Sequence, residues 1–373
     1  MPPLHLLMKP SSGMCNLQCH YCFYHDITEK RTQDFYGFMS EETLEQIVKK
    51  SLSYAEISCT FAFQGGEPTL IGLPFYYHLI DLVKKYNINN LKIHYAIQTN
   101  GYHLEEEWAE FFAKHHFLVG ISLDGTIHTH NAFRRTPSNK ETFSEIMQTI
   151  TLFQKHQVDF NILTVVNKKT AYAVSKLYKF YQKNGFSFLQ FIPCLDPLDT
   201  EAGKQEYSLT PNLYGKFLCE LFDLWYEDYL HGKNIFIRQF ENYISLLLYH
   251  SAESCDMNGV CSIQNVIEAD GEVYPCDFFV LDEYKLGNLN TIDFDIINQK
   301  RKELQFIEHS FQKDEACKKC RYHSICRGGC ARYRTMSGGY AERNYFCESY
   351  QMFFDHCFDR LLKIAQFISN TPK

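Results

Sequence analysis

The chain has 373 residues, of which 45% are hydrophobic, and a formal net charge of -7. This length exceeds that of one ordinary compact domain unless the first part is an α/β barrel. The negative charge disfavours a surface that follows nucleic-acid phosphates, so nucleic acid is not expected among the partners.

Fifteen cysteines are many for a chain of this size. The N-terminal sequence, MPPLHLLM, lacks the basic region and the long apolar region of a secretory signal. The sequence contains no apolar stretch of about 18 residues, so no membrane partner is expected. We therefore expect a cytoplasmic protein whose cysteines bind metal rather than form disulfides.

The first half of the chain alternates short β-rich runs with amphipathic segments. Strands are predicted at residues 4–8, 58–63, 91–97, 117–122, 160–166 and 186–192. Helices are predicted at residues 41–54, 74–86, 104–115, 141–156 and 171–183, with Ser40 as an N-cap. Such alternation predicts parallel strands joined by crossovers. Six strands are fewer than the eight of a closed barrel, so the expected fold is α/β with a partial, open (β/α)6 barrel.

Three cysteines follow the first predicted strand. Cys15, Cys19 and Cys22 are spaced i, i+4 and i+7. A four-iron cluster takes one ligand per iron, so three thiols leave one iron open to bind and reduce another molecule. Zinc held by Cys19, Cys22 and either His20 or His25 is the alternative, although zinc sites usually use paired C-x2-C motifs.

Polar or glycine-rich segments also follow the other predicted strands. They are QGGEP at 64–68, QTNG at 98–101, SLDG at 122–125 and PCLD at 193–196. In folds of this kind the functional loops follow the carboxyl ends of the strands. The paired glycines would let backbone approach a ligand closely, although a tight turn alone would also explain them.

The pattern changes after about residue 196. An aromatic amphipathic helix is predicted at 212–230, and a final amphipathic helix at 350–367 is expected to pack back on the body. Between them Cys261, Gly271 and Cys276 form a C-x9-G-x4-C pattern. A C-x2-C-x5-C-x3-C pattern follows, consisting of Cys317, Cys320, Cys326 and Cys330, with Cys347 beyond it. With Cys255 these are eight thiols, enough for two fully ligated four-iron clusters, whereas a pair of zinc knuckles is the alternative.

The CxxxCxxC spacing, with Tyr21 before its last cysteine, resembles the signature of the radical S-adenosylmethionine (SAM) enzymes. In that family the open iron binds the amino and carboxylate groups of SAM, and a GGEP segment holds the methionine amino group. The resemblance implies a 4Fe–4S cluster on Cys15, Cys19 and Cys22. It also implies SAM contacts at Tyr21, Gly66, Ser122, Arg134 and Leu195. Without it, Arg134 would be a surface arginine and Leu195 an ordinary core residue.

The C-terminal cysteines resemble the SPASM extension, which holds auxiliary 4Fe–4S clusters. The resemblance places one cluster on Cys255, Cys261, Cys276 and Cys330. It places the other on Cys317, Cys320, Cys326 and Cys347. Spacing alone does not assign this interleaving. The predicted domains are a radical SAM barrel at 1–233, a SPASM domain at 234–347 and a C-terminal helix at 348–373.

Over almost its full length the chain resembles the anaerobic sulfatase-maturating enzymes, through MCNLQCHYCFYH, FAFQGGEPTL, LQFIPCLDPL and DGEVYPCDFFVLD. In that family the aspartate matching Asp277 is the proposed catalytic base. Tyr24 and Gln64 match positions near the target side chain. Taken alone, Asp277 would be a solvated loop residue, and the other two would be packing residues.

This resemblance implies that a cysteine or serine in a C/S-x-P-x-R segment of an unfolded sulfatase is oxidised to Cα-formylglycine. Three 4Fe–4S clusters and SAM are the implied cofactors, and a reduced flavodoxin or ferredoxin is the implied electron donor. A 5′-deoxyadenosyl radical would remove a β-hydrogen, Asp277 would take the thiol or hydroxyl proton, and the auxiliary clusters would accept the second electron. Two alternatives remain open: a SPASM maturase that forms thioether or carbon–carbon crosslinks, and a zinc-binding interaction module without catalysis.

Overall fold

The structure, a computed structural model, describes residues 3–370. Met1, Pro2 and residues 371–373, the end of the predicted segment 348–373, lie outside the described residues. Packing divides the described chain into two compact units. Unit 1 comprises residues 3–122, 134–160 and 263–306, and unit 2 comprises residues 123–133, 161–262 and 307–370. The boundaries expected at 233 and 347 stay predictions.

Ten strands form within residues 3–370. They are β1 Leu4–Met8, β2 Ser58–Phe63, β3 Lys92–Thr99, β4 Phe117–Ser122, β5 Phe160–Val166, β6 Phe188–Pro193, β7 Phe236–Ile237, β8 Asn265–Ile267, β9 Glu272–Tyr274 and β10 Gly287–Asn288. The bounds of β1, β2, β4 and β5 are those predicted, because each is an apolar, β-branched or aromatic run closed by a polar segment. β3 and β6 begin and end one or two residues later than expected.

Seventeen α-helices form in the same part of the chain. They are α1 Phe23–Glu29, α2 Glu41–Tyr54, α3 Leu73–Tyr86, α4 Glu106–Lys114, α5 Ile127–His130, α6 Phe143–Lys155, α7 Lys168–Ala171, α8 Val174–Lys183, α9 Pro211–Leu230, α10 Arg238–Leu247, α11 Cys255–Asn258, α12 Phe294–Leu304, α13 Phe306–His309, α14 Glu315–Lys318, α15 His323–Cys326, α16 Ala331–Thr335 and α17 Cys347–Asn370. Ser40 caps α2 as predicted, because its side chain accepts from the N–H of Thr43 at 3.1 Å.

The prediction of one helix at 171–183 is wrong in one respect, because two helices form in this part of the chain. The side chain of Asn167 accepts from the N–H groups of Lys169 and Thr170 and starts α7 three residues before the expected position. The chain then leaves helical geometry at Ala173, where ψ is 22°, and α8 follows.

β1 is the centre of the strands in unit 1. It pairs in parallel with β2 on one side and with β8 on the other, so that Leu6 lies opposite both Phe61 and Asn265. β2, β3 and β4 continue the parallel order, and β9 and β10 extend the other side antiparallel. Leu6, Met8 and Phe61 are at most 1% exposed, so the core of unit 1 lies along these strands. The carboxyl ends of β1, β2, β3 and β8 therefore share one edge.

Unit 2 contains the parallel strands β6 and β7 and most of β5. The final helix, α17, packs against α9 and α10 as expected for an amphipathic C-terminal helix. Phe353 of α17 stacks on Phe240 of α10 and meets Phe222 of α9 edge to face. Within residues 3–370, every helix is too short or too polar to cross a bilayer.

Candidate active site

The cysteine loop of unit 1 connects β1 to α1. Cys15 and Cys19 are half-buried, and Cys22, which directly precedes α1, is exposed. The Sγ of Cys15 accepts from the backbone N–H of Leu17 at 3.4 Å and from the side-chain amide of Asn100 at 3.6 Å. Burial raises the pKa of the Cys15 thiol far above its usual range, and the Glu67 carboxylate adds to the effect. Because metal ligation requires the thiolate, N–H groups aimed at this sulfur suit a metal-bound cysteine.

Gly66 packs against the backbone of the cysteine loop. Its φ is +52°, and a Cβ at this position would lie 2.2 Å from the carbonyl oxygen of Met14 and 2.7 Å from that of Ser12. Both the left-handed conformation and the lack of space require glycine. Gly66 thus joins the loops that follow β1 and β2, while the approach of its backbone to a ligand stays a prediction.

Glu67 ties the same loop to the end of β3. Its carboxylate is 1% exposed and accepts from the hydroxyl of Thr99 and the backbone N–H of Asn100, both at 2.7 Å. It also accepts from the backbone N–H and the hydroxyl of Thr69. Burial raises the pKa of Glu67, while these hydrogen bonds oppose the shift. Sequence reasoning did not single out this residue, although it stands inside the GGEP segment.

Arg134 and Tyr21 lie together beside the cysteine loop. The guanidinium of Arg134 donates to the Sγ of Cys19 at 3.8 Å and lies 5.4 Å from the centre of the Tyr21 ring. Arg134 is buried, so it is not a surface arginine. Ser122 is buried at the carboxyl end of β4 in the same unit. Leu195 is buried after β6 and belongs to unit 2.

Asp277 follows Cys276 and is buried, so the solvated loop aspartate that the local sequence would give is not observed. Its Oδ1 lies 2.5 Å from the ammonium of Lys9. Its Oδ2 accepts from the side-chain amide of Gln64 at 2.8 Å. The structure thus brings together Asp277, the base that the resemblance implies, and Gln64, which matches a position near the target side chain.

A second buried carboxylate, Glu268, lies next to this group. It accepts hydrogen bonds from the hydroxyls of Tyr24 and Ser12, the latter at 2.6 Å. The guanidinium of Arg31 lies 3.4 Å from its Oε2. Burial raises the pKa of Tyr24 well above its usual value, and the Glu268 charge adds to the shift. Tyr24 is therefore a neutral donor at physiological pH.

Lys9, Glu268 and Arg31 were missed by the sequence analysis. Lys9 directly follows β1 and Glu268 directly follows β8, and these strands are parallel neighbours. The signal that could have found them is a charged residue immediately after an apolar strand, at the edge where the functional loops lie. The pairing of β1 with β8 was needed to put the two residues at that edge.

Four of the predicted auxiliary ligands line one cavity of unit 2, with a volume of about 60 Å³. They are Cys317, Cys320, Cys326 and Cys347. Burial raises the pKa of Cys326 to about 12 and that of Cys347 to about 11. Four convergent thiols in one cavity are the donor set that an iron–sulfur cluster requires.

Three of the other four predicted ligands also belong to unit 2: Cys255, Cys261 and Cys330. Burial raises the pKa of Cys330 beyond its usual range, and nearby Asp256 and Cys255 add to the shift. The Sγ of Cys330 accepts from the backbone N–H of Arg332 at 3.4 Å. Cys276 belongs to unit 1.

Comparison with known proteins identifies the family. Residues 10–180 match the radical SAM superfamily, and residues 255–321 match SPASM, an iron–sulfur cluster-binding domain. A cysteine-type anaerobic sulfatase-maturating enzyme of Clostridium perfringens is 48% identical over 366 residues, which cover 98% of this chain and 99% of that protein. The chain belongs to the anaerobic sulfatase-maturating enzymes.

Other sulfatase-maturating enzymes agree with this assignment. A serine-type enzyme of Bacteroides thetaiotaomicron is 31% identical, with 95% of this chain and 89% of that protein covered. The solved structure of native anSMEcpe with bound AdoMet and Kp18Cys peptide matches with a TM-score of 0.94 and 47% identity, covering 98% of this chain and all of that chain. The predicted fold class, a radical SAM domain followed by a SPASM domain, is confirmed. The alternative of a zinc-binding module without catalysis is wrong, because the family is enzymatic and its C-terminal domain binds iron–sulfur clusters.

Proposed function

We propose that this sulfatase-maturating enzyme converts a cysteine in a C-x-P-x-R segment of an unfolded sulfatase to Cα-formylglycine. One observation carries the proposal: the buried carboxylate of Asp277 is held by Lys9 and Gln64 in a chain that cysteine-type relatives match almost end to end. Cysteine is the proposed target because cysteine-type relatives are 46–48% identical to this chain, whereas serine-type relatives are 29–31% identical.

Cys15, Cys19 and Cys22 are the proposed ligands of a 4Fe–4S cluster with one open iron. When bound, this cluster and SAM supply the electron and the radical chemistry that remove a hydrogen atom from the substrate. A reduced flavodoxin or ferredoxin is the proposed electron donor. The proposed contacts to SAM are Tyr21, Gly66, Ser122, Arg134 and Leu195. A guanidinium fixed beside the cysteine loop suits the carboxylate of SAM, which supports the role of Arg134.

Two auxiliary 4Fe–4S clusters complete the proposed set of three. One would use Cys255, Cys261, Cys276 and Cys330. The other would use Cys317, Cys320, Cys326 and Cys347, whose convergence on one cavity supports the assignment. Four protein ligands leave no iron open, so we assign these clusters to electron acceptance and not to substrate binding.

Asp277 is the proposed base. The target side chain loses one hydrogen atom from its β-carbon, the thiol proton passes to Asp277, and one electron leaves, so that a carbon–sulfur double bond forms. Water then replaces the sulfur, which leaves as hydrogen sulfide, and the aldehyde remains. A carboxylate whose two oxygens already accept from Lys9 and Gln64 still has free lone pairs to receive this proton. Tyr24 and Gln64 are proposed to lie near the target side chain.

The proposed partners follow from charge and chemistry. A net charge of -7 suits a peptide substrate that contains arginine and disfavours nucleic acid. We place the enzyme in the cytoplasm, where thiols stay reduced and an unfolded sulfatase segment is accessible before export.

The test uses anaerobically purified, cluster-loaded enzyme with reductant, SAM and a peptide that contains C-x-P-x-R, followed by mass spectrometry. The proposal predicts loss of sulfur and two hydrogens with gain of one oxygen. A serine version of the peptide should react more slowly, and a version with alanine at the target position should not react. A product that loses two hydrogens but keeps its sulfur would instead identify a crosslinking SPASM maturase.

A further inference from the structure

Lys9 is a lysine with no exposed surface. It follows β1, and its backbone N–H donates to the carbonyl oxygen of Ile267 at 2.8 Å, which extends the pairing of β1 with β8. A buried ammonium is costly unless a counter-charge lies within hydrogen-bond distance. Asp277 is that counter-charge, at 2.5 Å.

Gly65 and Tyr24 flank the side chain of Lys9. A Cβ on Gly65 would lie 2.6 Å from Nζ and 2.8 Å from Cγ of Lys9, so the glycine makes room for the lysine. The centre of the Tyr24 ring lies 3.8 Å from Nζ of Lys9, at cation–π distance. Tyr24 is in turn held by its hydroxyl, which donates to Glu268. The ammonium is thus held from two sides and aimed at Asp277.

The result is a carboxylate whose orientation is fixed at both oxygens. Lys9 occupies one lone pair of Oδ1, and the Gln64 amide occupies one of Oδ2. A general base works only when its acceptor lone pair is held within hydrogen-bond reach of the proton, so loss of either donor would let the carboxylate rotate. We propose that Lys9 is a positioning residue for Asp277. This inference rests on the proposed function, in which Asp277 takes the proton of the target thiol.

The competing explanation is that Lys9 only joins β1 to the segment after β9. Lys50 provides a matched control for that explanation. Its ammonium lies 3.1 Å from Asp293 and 2.9 Å from the carbonyl oxygen of Ile292, so it also joins an early element to residues 263–306 of unit 1. Lys50 has no contact with Asp277 among those described.

The experiment compares the full-length, cluster-loaded enzyme with its K9M, K9R and K50M variants. For each, formylglycine and 5′-deoxyadenosine are measured together with iron content. In K9M we expect about tenfold less formylglycine per 5′-deoxyadenosine, with iron and SAM cleavage close to wild type. K9R keeps the charge and should recover part of the ratio, while K50M should keep the wild-type ratio. If K9M does not load iron, K9R is used in its place. A ratio of formylglycine to 5′-deoxyadenosine below that of the wild type, at full iron content, then supports the role of Lys9, and a wild-type ratio overturns it.

A double variant separates positioning from general structural support. Adding K9M to D277N should not lower the residual formylglycine further, because the carboxylate that Lys9 holds is already lost. The role of Lys9 would be overturned if K9M and K9R formed as much formylglycine per 5′-deoxyadenosine as the wild type. It would also be overturned if this ratio fell equally in K9M and K50M. Absence of formylglycine from the wild-type reaction would overturn the proposed function itself.

Discussion

The buried carboxylate of Glu67 accepts a hydrogen bond from the backbone N–H of Asn100 at 2.7 Å. This bond joins the glycine loop after β2 to the loop after β3, and the side chain of Asn100 in turn donates to the Sγ of Cys15. One acidic residue thus supports the conformation of the loops that carry the proposed SAM and cluster ligands.

Glu67→Gln should disrupt this arrangement. Each oxygen of Glu67 accepts from a backbone N–H, Oε1 from Thr69 and Oε2 from Asn100, so the glutamine NH2 must face one of them. Leaving a buried donor unpaired costs about 1–3 kcal/mol, and SAM cleavage should slow because the glycine loop loses its support. Thermal unfolding and the rate of 5′-deoxyadenosine formation measure the two effects. Glu45→Gln, on the surface, is the control, and equal behaviour of the two variants would contradict this role.

Replacing Cys320 and Cys347 together with alanine should remove one auxiliary cluster. Two of its four proposed ligands would remain, one fewer than the three proposed to hold the first cluster, so the iron content should fall from about twelve to about eight per chain. Anaerobic iron and sulfide analysis measures this loss directly. Cys219→Ala is the matched control, since Cys219 is a half-buried cysteine of unit 2 outside both proposed ligand sets. Unchanged iron in the double variant would contradict the assignment of a cluster to these thiols.

Asp277→Asn should uncouple SAM cleavage from product formation. The amide keeps the shape of the side chain but does not accept the thiol proton, so formylglycine should decrease by about 100-fold or more while 5′-deoxyadenosine still forms. Asp282→Asn is the control in the same segment. The pKa of Asp282 is lowered to about 2 by hydrogen bonds from Lys285 and Thr32. If Asp277→Asn forms formylglycine at the wild-type rate, this aspartate is not the base.

His115 should make the stability of the enzyme depend on pH. Burial lowers its pKa below the usual value, and the positive charges of Lys114 and Lys84 add to the shift, while Asp81 opposes it. The unfolded chain therefore binds a proton at this position more readily than the folded one, so stability falls as the pH drops through about 6.5. In the native protein the ring centres of His115 and Phe111 are 4.6 Å apart. His115→Phe keeps a ring beside Phe111 and removes the group that binds the proton.

Melting temperatures of both proteins at about pH 8 and about pH 6 test this expectation. The decrease on acidification should be smaller in the His115→Phe variant than in the wild type. An equal decrease in the two proteins would show that His115 does not contribute.

Much of the architecture could be predicted because its signals are local. The bounds of β1 and β2 follow from apolar runs closed by polar loops, and the spacing of Cys15, Cys19 and Cys22 predicts one ligand group within eight residues. The auxiliary thiols were predicted as ligands by resemblance, and the structure brings four of them to one cavity.

The rest could not be predicted because it depends on contacts between distant parts of the chain. Lys9 and Asp277 are 268 residues apart in sequence, and a lysine after a strand is ordinarily solvated. The addition of β8 beside β1 puts Glu268 next to Tyr24, whose ring lies over the Lys9 ammonium. No local sequence pattern predicts the pairing of β8 with β1, because β8 has only three residues.

The most direct test of the proposed reaction uses a C-x-P-x-R peptide whose target cysteine carries two deuterium atoms at the β-carbon. Loaded, reduced enzyme is incubated with this peptide and SAM, and both the peptide and the 5′-deoxyadenosine are examined by mass spectrometry. We predict formylglycine in the peptide and deuterium in the 5′-deoxyadenosine, because the hydrogen leaves the β-carbon. Deuterium-free 5′-deoxyadenosine, or a product that retains both β-deuterium atoms, would contradict it.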